Sequence, residues 1–424
     1  MHVHPAETIG LKGLVMSLEN QQKLEETYVM HTFGRKPVQL VKGSGMYVSD
    51  DKDKTYIDFI AGIGVNSLGH CPPALFTALS NQAITLIHVS NYYYIEGRGE
   101  LAEKLSALLN QQVPEEQREP WQTFFANSGA EANECAIKLA RLYARRKAEE
   151  KGSERRPRII VTLERSFHGR TLATLAATAQ PVKQEAFQPL PDGFVATPAN
   201  DIAALNRLFS EQGGNIAGIL LEPVQGECGV YPCTDEFLAE CRRLCDVFGA
   251  VLMFDEVQCG IYRCGTYPFA FQHAGVMPDV VTMAKGIAGG VPMGACSAKA
   301  HVAAVFEPGI HGSTFGGSNL AIRAANAVLD TIESEGIAQN VEEVGAYLRE
   351  KLATLPQVTE VRGKGLMVAC DLVDGIDANA VVLKALDTGL LLNATGPHTL
   401  RFLPPLICAR DNVDSLIERL KELL

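Results

Sequence analysis

Residues 250–260 read AVLMFDEVQCG: five apolar positions in a row, then two carboxylates. An unbroken apolar run bounded by charge reads as a strand buried on both faces, the kind found in parallel sheets. A carboxylate at the end of such a strand is costly unless something pairs with it. Asp255 and Glu256 therefore either cap a helix or close an internal ion pair, or one of them is aimed at a positive group on a ligand. The same grammar extends to both sides. TFFANS (123–128), RIIVTL (158–163), IAGILLEPV (216–224) and DVVTMA (279–284) read as further short strands. Helical stretches such as GAEANECAIKLARLYARRKAEE (129–150) and DEFLAECRRLCDVFG (235–249) lie between them. Strand–helix alternation predicts an α/β fold with a mostly parallel sheet covered on both faces, and ligands in such sheets sit at the carboxyl ends of the strands.

Outside this block, VQLVKGSGMYVSDDKDKTYIDFI (38–60) reads as strand, glycine turn, strand, polar hairpin and strand. Residues 14–31 carry a loose helical period and read as an arm, mobile or packed on a partner. A helix is expected from Gly97 to Leu109 and another from Leu320 to about Glu335. Residues 145–158 read as a solvated helix end and loop. The last hundred residues alternate helix and strand again, around VRGKGLMVACDL (361–372) and TLRFLPPL (399–406). The expected division is an N-terminal arm and part of a small domain over 1–75, a large ligand-binding domain over 76–318, and a C-terminal small domain over 319–424. The small domain is an α+β unit built from both chain ends.

With 424 residues, 46% hydrophobic and 21% charged, the chain has globular composition and room for two or three domains. No apolar run reaches the length of a membrane span. The opening MHVHPAETIGLKG lacks the basic start and apolar core of a secretory signal. Eleven cysteines without an export signal read as free thiols of a reducing cytoplasm. Cys241 and Cys245 stand at helical spacing, with Cys228 and Cys233 before them, but no CxxC knuckle or close histidine completes a tetrahedral site. They read as small buried hydrophobes, and no metal is expected. A net charge of −11 disfavours nucleic acid or an anionic membrane as partner, so an anionic substrate would be recognised by individual arginines.

Three positions suggest chemistry together. In FFANSGAEANE (124–134) a strand ends at Asn127, and Ser128, Gly129 and Ala130 open a helix whose N–H groups and dipole suit a phosphate. Alone that turn is weak evidence. Asp255 supplies a carboxylate suited to a protonated pyridine nitrogen. Lys285, thirty residues later in DVVTMAKGIAGG (279–290), is an amine in apolar surroundings that favour its neutral, nucleophilic form. A lysine before a glycine is ordinarily solvated. With an anion seat and an acid beside it, it supplies the third point needed to hold pyridoxal phosphate as a Schiff base.

The blocks FFANSGAEANE, SFHGRT, LLEPVQGECGV, LMFDEVQCG, VVTMAKGIAGGVPMGA, GSTFGGSNLA and LRFLPPL together resemble class III aminotransferases. Within that class, AGIGVNSLGH, HVSN, FHGRTLATL and GPHTLRFLPPL are most similar to bacterial acetylornithine aminotransferases. The resemblance runs from about residue 28 to the C-terminus. It implies an aspartate-aminotransferase-like fold (fold type I) and pyridoxal 5'-phosphate as cofactor. It also implies a homodimer with its sites at the subunit interface. The implied reaction moves the terminal amine of N-acetylornithine to 2-oxoglutarate, as in arginine biosynthesis.

By the same resemblance Lys285 would carry the cofactor, Asp255 would face its ring nitrogen, Gln258 its ring hydroxyl and Phe167 its ring face. Ser128, Gly129 and Ala130 would hold the phosphate, with Thr314 reaching in from the neighbouring subunit. Arg170 and Arg401 would grip substrate carboxylates, with Ser313 among the substrate-side residues. Glu227 would pair with Arg401 in one half-reaction and release it in the other. An enzyme alternating between a monocarboxylate donor and a dicarboxylate acceptor needs one fixed guanidinium fork and one optional fork. Without the other blocks, Phe167 would read as core packing, Thr314 as a turn hydroxyl and the arginines as ordinary ion-paired side chains.

Four departures stand out. Cys228 replaces a usual glycine beside Glu227, and Phe33 replaces a frequent tyrosine. IYRCG and GGSNLA also differ from the usual runs. Rival readings keep the chemistry and change the donor to ornithine, succinylornithine, 4-aminobutyrate or another ω-amine. More distant rivals are an aminomutase or racemase, which needs no dicarboxylate acceptor, and a non-catalytic scaffold, which needs neither Lys285 nor Asp255.

Overall fold

The computed structural model describes residues 16–424. The first fifteen residues, including part of the expected first domain and the start of the expected arm, lie outside the described residues. From Leu18 to Tyr28 the arm is a helix that buries none of its side chains.

Seven strands form the central sheet. In chain order they are β1 (Trp121–Ala126), β2 (Ile159–Leu163), β3 (Phe194–Thr197), β4 (Ile216–Leu221), β5 (Val251–Asp255), β6 (Val280–Met283) and β7 (Gly294–Lys299). Their spatial order is β1-β7-β6-β5-β4-β2-β3. β3, β2, β4, β5 and β6 are parallel, while β7 runs antiparallel to both its neighbours. All five expected strands are present. β3 and β7 were not among them. β7 reads GACSAK, and its small residues are poor strand formers. Smallness is what the position requires, because a Cβ on Gly294 would stand 2.2 Å from the Ser128 carbonyl oxygen.

Every residue of β4, β5 and β6 is buried, as expected for strands covered on both faces. Helix α1 (Gly129–Glu150) covers one face, turning Ala132, Cys135, Ala136, Leu139 and Ala140 toward Ala217, Val251, Met253 and Val280. Ser128 caps it by accepting from the Glu131 N–H at 3.2 Å. Phe254 and Leu252 alternate to the other face and join the main core. The period-2 alternation of a strand then sends Asp255 to the α1 side and Glu256 to the opposite side. Glu256 accepts from the backbone N–H groups of Ala270 and Phe271 at 3.0 and 2.9 Å, which makes it the cap of that turn. Of the two carboxylates, Glu256 takes the capping role, while Asp255 turns to the other face and lines a cavity.

The chain ends pair with each other. Leu40–Ser44, Tyr47–Asp50 and Thr55–Asp58 form an antiparallel meander, which Leu390–Leu391 extends by pairing parallel to Thr55–Asp58. Val358–Lys364, Met367–Leu372, Thr399–Phe402 and Asn393–Ala394 make an antiparallel sheet, with helices Ile337–Ala353 and Arg410–Leu423 nearby. The architecture is α/β as expected, with a smaller α+β part drawn from both ends. Cys241 and Cys245 are fully buried under helix Asp235–Phe248, and all eleven cysteines are free thiols.

Candidate active site

A cavity of about 370 Å³ opens at the carboxyl ends of β1, β4, β5 and β6, within the size range of small-molecule sites. Its wall includes Ser128, Gly129 and Ala130 from the start of α1, Phe167 and Arg170 from the loop after β2, Glu222, Asp255, Gln258 and Lys285. The sequence places these residues far apart, and the parallel sheet brings them together because each follows a strand.

Asp255 sits at the floor and is 3% exposed. One carboxylate oxygen accepts from the Val257 N–H at 3.0 Å; the other accepts from Asn133 Nδ2 at 2.7 Å and lies 2.7 Å from His168 Nδ1. An ionised carboxylate offers about four lone-pair sites. Three are taken, which leaves one for a donor in the cavity. Thr282 fixes Asn133 by donating to its Oδ1 at 2.6 Å. His168 is buried and its Nε2 has no partner among the described residues. Sequence reading assigned Asn133 and His168 no role, although both lie inside blocks it singled out.

Lys285 opens a short 3₁₀ turn and has φ 46°, a left-handed conformation that a side-chain-bearing residue adopts only when its surroundings impose it. Ser67 clamps the turn by donating to the Gly286 carbonyl at 2.7 Å. Burial holds the Lys285 amine below its ordinary pKa; Asp255 partly offsets this and Arg401 adds to it. The amine is therefore biased toward its neutral form. Glu222 is buried and accepts from the Phe167 and Gly226 N–H groups at 3.0 and 3.3 Å. Burial, with the charge of Asp255, pushes it up to about 7.

At the start of α1, the first-turn N–H groups of Gly129 and Ala130 have no intrahelical carbonyl to bond. A Cβ on Gly129 would meet Val257 at 2.7 Å, so the approach of this turn to the loop after β5 admits no larger residue without repacking. An anion seat, a carboxylate with one free site and a neutral-biased amine fit pyridoxal phosphate. Asp255 would face its ring nitrogen, the α1 turn its phosphate and Lys285 its carbonyl carbon.

Arg401 is 3% exposed and does not itself line the cavity, but it reaches the wall through Gln258. Asn393, its partner across the strand pair, accepts from its Nε at 3.0 Å and its Nη2 at 2.8 Å. Nη1 donates to the Gly226 carbonyl at 2.9 Å, to Gln258 Oε1 at 3.3 Å and to Glu227 Oε2 at 3.4 Å. Burial lowers the Arg401 pKa, partly offset by Glu227. Neutral acceptors thus hold the guanidinium, and the carboxylate contact is the longest. A Cβ on Gly226 would lie 2.0 Å from Gln258 Oε1, so a larger residue here would displace the Gln258 side chain from Arg401. Cys228 departs from glycine at no backbone cost: the positive φ values fall on Gly229 and Val230.

Arg170 is exposed at the rim, its guanidinium 5.7 Å from the Phe167 ring centroid. Lys183 stands 4.8 Å from the same centroid and 3.5 Å from Glu227 Oε1, a contact sequence reading missed. Ser313 Oγ accepts from Asn127 Nδ2 at 3.2 Å and so abuts the cavity through Asn127. Thr314 is exposed and does not line this cavity; it borders a separate hollow with Tyr92, Tyr94 and His311. Phe33 is 76% exposed and also lies outside the wall.

Comparison with known proteins bears on this geometry. The family described as Aminotransferase class-III matches residues 29–424. The chain is 46% identical over 404 residues to the acetylornithine aminotransferase of Caldanaerobacter subterraneus subsp. tengcongensis, covering 94% of this chain and 98% of that one. Among solved structures it is similar to the acetylornithine aminotransferase of Elizabethkingia anophelis, with 32% identity, a TM-score of 0.82 and coverage of 96% and 99%. It is also similar to the ornithine aminotransferase of Toxoplasma gondii ME49, with 30% identity, a TM-score of 0.88 and coverage of 97% and 96%.

Proposed function

The chain belongs to the class III aminotransferases, and from that premise we propose that it moves the terminal amine of N-acetylornithine to 2-oxoglutarate. The products are N-acetylglutamate 5-semialdehyde and glutamate, a reaction of arginine biosynthesis. The cofactor is pyridoxal 5'-phosphate, which supplies the carbonyl that receives the amine and a ring that delocalises the electron pair left on the donor carbon.

The protein's own residues do the rest. Lys285 holds the cofactor's carbonyl carbon and moves the proton at the donor carbon, tasks that require a neutral amine near neutral pH. Asp255, oriented by Asn133 and His168, keeps a proton on the ring nitrogen. Gln258, whose Oε1 accepts from Arg401, offers its NH₂ to the ring hydroxyl. Phe167 covers the ring face, and the Ser128–Ala130 turn binds the phosphate. Thr314 completes that phosphate site from a second copy of the chain. In support, Tyr92 and Tyr94 are 95% and 102% exposed beside the Thr314 loop, with Phe315 at 62%, an apolar surface that calls for a cover. No helix among the described residues is long and apolar enough to cross a membrane, and the enzyme works in the cytoplasm.

The observation that carries the reading is the Arg401–Glu227 pair beside the cavity. Arg170 is the fixed fork for the carboxylate common to both substrates. Arg401 is the optional fork, masked by Glu227 while the monocarboxylate donor is bound. Because Asn393 and Gly226 hold Arg401, Glu227 can leave without disordering it. The rim cation Arg170 favours a donor whose α-nitrogen is a neutral amide over ornithine, whose α-nitrogen is a free ammonium.

Half-reaction kinetics test this. Arg401→Ala should slow the 2-oxoglutarate half by about 2–5 kcal/mol of transition-state stabilisation and leave the donor half much less affected. Glu227→Ala should uncover Arg401 and shift the ratio of the two halves, in favour of glutamate as donor, by roughly ten- to a hundredfold. Equal losses in both halves for Arg401→Ala would remove the two-fork argument.

A further inference from the structure

Glu227 stands between two cations. Arg401 Nη1 lies 3.4 Å from Oε2, and Lys183 Nζ lies 3.5 Å from Oε1. The two partners differ in kind. Arg401 is 3% exposed along its side chain and tied to three neutral acceptors. The Lys183 side chain is 21% exposed and has rotatable donors on a flexible stem. Its backbone is firmly placed, however. Lys183 belongs to the short helix Pro181–Gln184. Gln184 anchors that helix by donating to the carbonyls of Leu175, Ala176 and Thr178 at 3.0, 3.3 and 2.7 Å. The pairing is thus a flexible cation on a fixed platform facing the free side of the carboxylate.

A dicarboxylate that takes Arg401 leaves Glu227 an anion beside an incoming anion. In a half-buried rim that carboxylate needs another partner, or its repulsion opposes the substrate. We infer that Lys183 is that partner: a positioning residue that receives Glu227 when Arg401 is released, and so favours the dicarboxylate half-reaction. The inference rests on the two-fork reading above and adds to it the group that makes the carboxylate's departure affordable.

The test is a double-mutant cycle on the holoenzyme, with N-acetylornithine and 2-oxoglutarate half-reactions measured by stopped flow. Lys183→Met should raise the apparent dissociation constant for 2-oxoglutarate about three- to tenfold and change the N-acetylornithine half by less than about twofold. Lys183→Arg should restore most of the loss. In a Glu227→Ala background, Lys183→Met should no longer change the ratio of the two halves. Two results would overturn the inference alone: equal loss in both halves, as from mere destabilisation, or an effect that persists without Glu227, as from direct contact with substrate. If Glu227→Ala by itself leaves the ratio unchanged, the two-fork reading fails and the inference with it.

Discussion

Lys285→Ala should leave a folded protein whose transamination has fallen at least ~10⁴-fold. The amine proposed both to hold the cofactor and to move the proton is gone, and no other amine among the described residues lines the cavity wall. The fold should survive because the turn is held by its backbone, through the Ser67 contact, and not by the lysine side chain. Alanine keeps the left-handed strain at this position, whereas Lys285→Gly relieves it, so the glycine variant should melt at the same temperature or higher. Initial rates with and without an added small amine, alongside thermal melts, check both points. Near-wild-type turnover of the alanine variant without added amine would contradict the role given to Lys285.

Asp255→Asn should lower the rate of proton removal from the donor about 10³-fold, while part of the cofactor is retained. The loss has two sources. A neutral amide cannot stabilise a positive ring nitrogen. Nor can it satisfy the surroundings, since both Asp255 oxygens accept hydrogen bonds, one from the Val257 N–H and the other from Asn133. Whichever way the amide is turned, its NH₂ faces a donor, a mismatch worth about 1–3 kcal/mol. The variant should therefore melt lower as well as react more slowly. Single-turnover proton exchange separates the two effects: an unchanged exchange rate with a lowered melting temperature would make Asp255 a structural acid only.

These two residues could be read from the chain because their signals are local. Asp255 stood out as a carboxylate closing an apolar strand, and Lys285, ordinary by itself, stood out only in company with Asp255 and the Ser128 turn. Local reading could not separate Asp255 from Glu256. Alternation along β5 does so, once α1 with Asn133 is known to lie on one face and the 270–273 turn on the other. The partners that tune the site were less legible, because their contacts run through space. Lys183 meets Glu227 across 44 positions and Asn133 meets Asp255 across 122. No pattern of short period records either meeting. Asn393 was closer in sequence to Arg401, at eight positions, but only the pairing of two short strands sets them opposite each other. β7 escaped notice for another reason. Gly294 at its start lies against the Ser128 carbonyl, and the small residues that follow it carry none of the β-branched signature by which strands are recognised.

On the proposed reading the positive rim at Arg170 disfavours a free α-ammonium and so separates ornithine from acylated donors, while 4-aminobutyrate has no α-nitrogen and lacks the acylamino group such a site would bind. The most direct measurement is the single-turnover rate at which N-acetylornithine, succinylornithine, ornithine and 4-aminobutyrate each deliver their amine to the holoenzyme. N-acetylornithine is expected to exceed ornithine and 4-aminobutyrate in kcat/KM by at least ~tenfold, with succinylornithine nearer to it because its α-nitrogen is also acylated. Ornithine or 4-aminobutyrate reacting as fast as N-acetylornithine, or faster, would contradict the assignment.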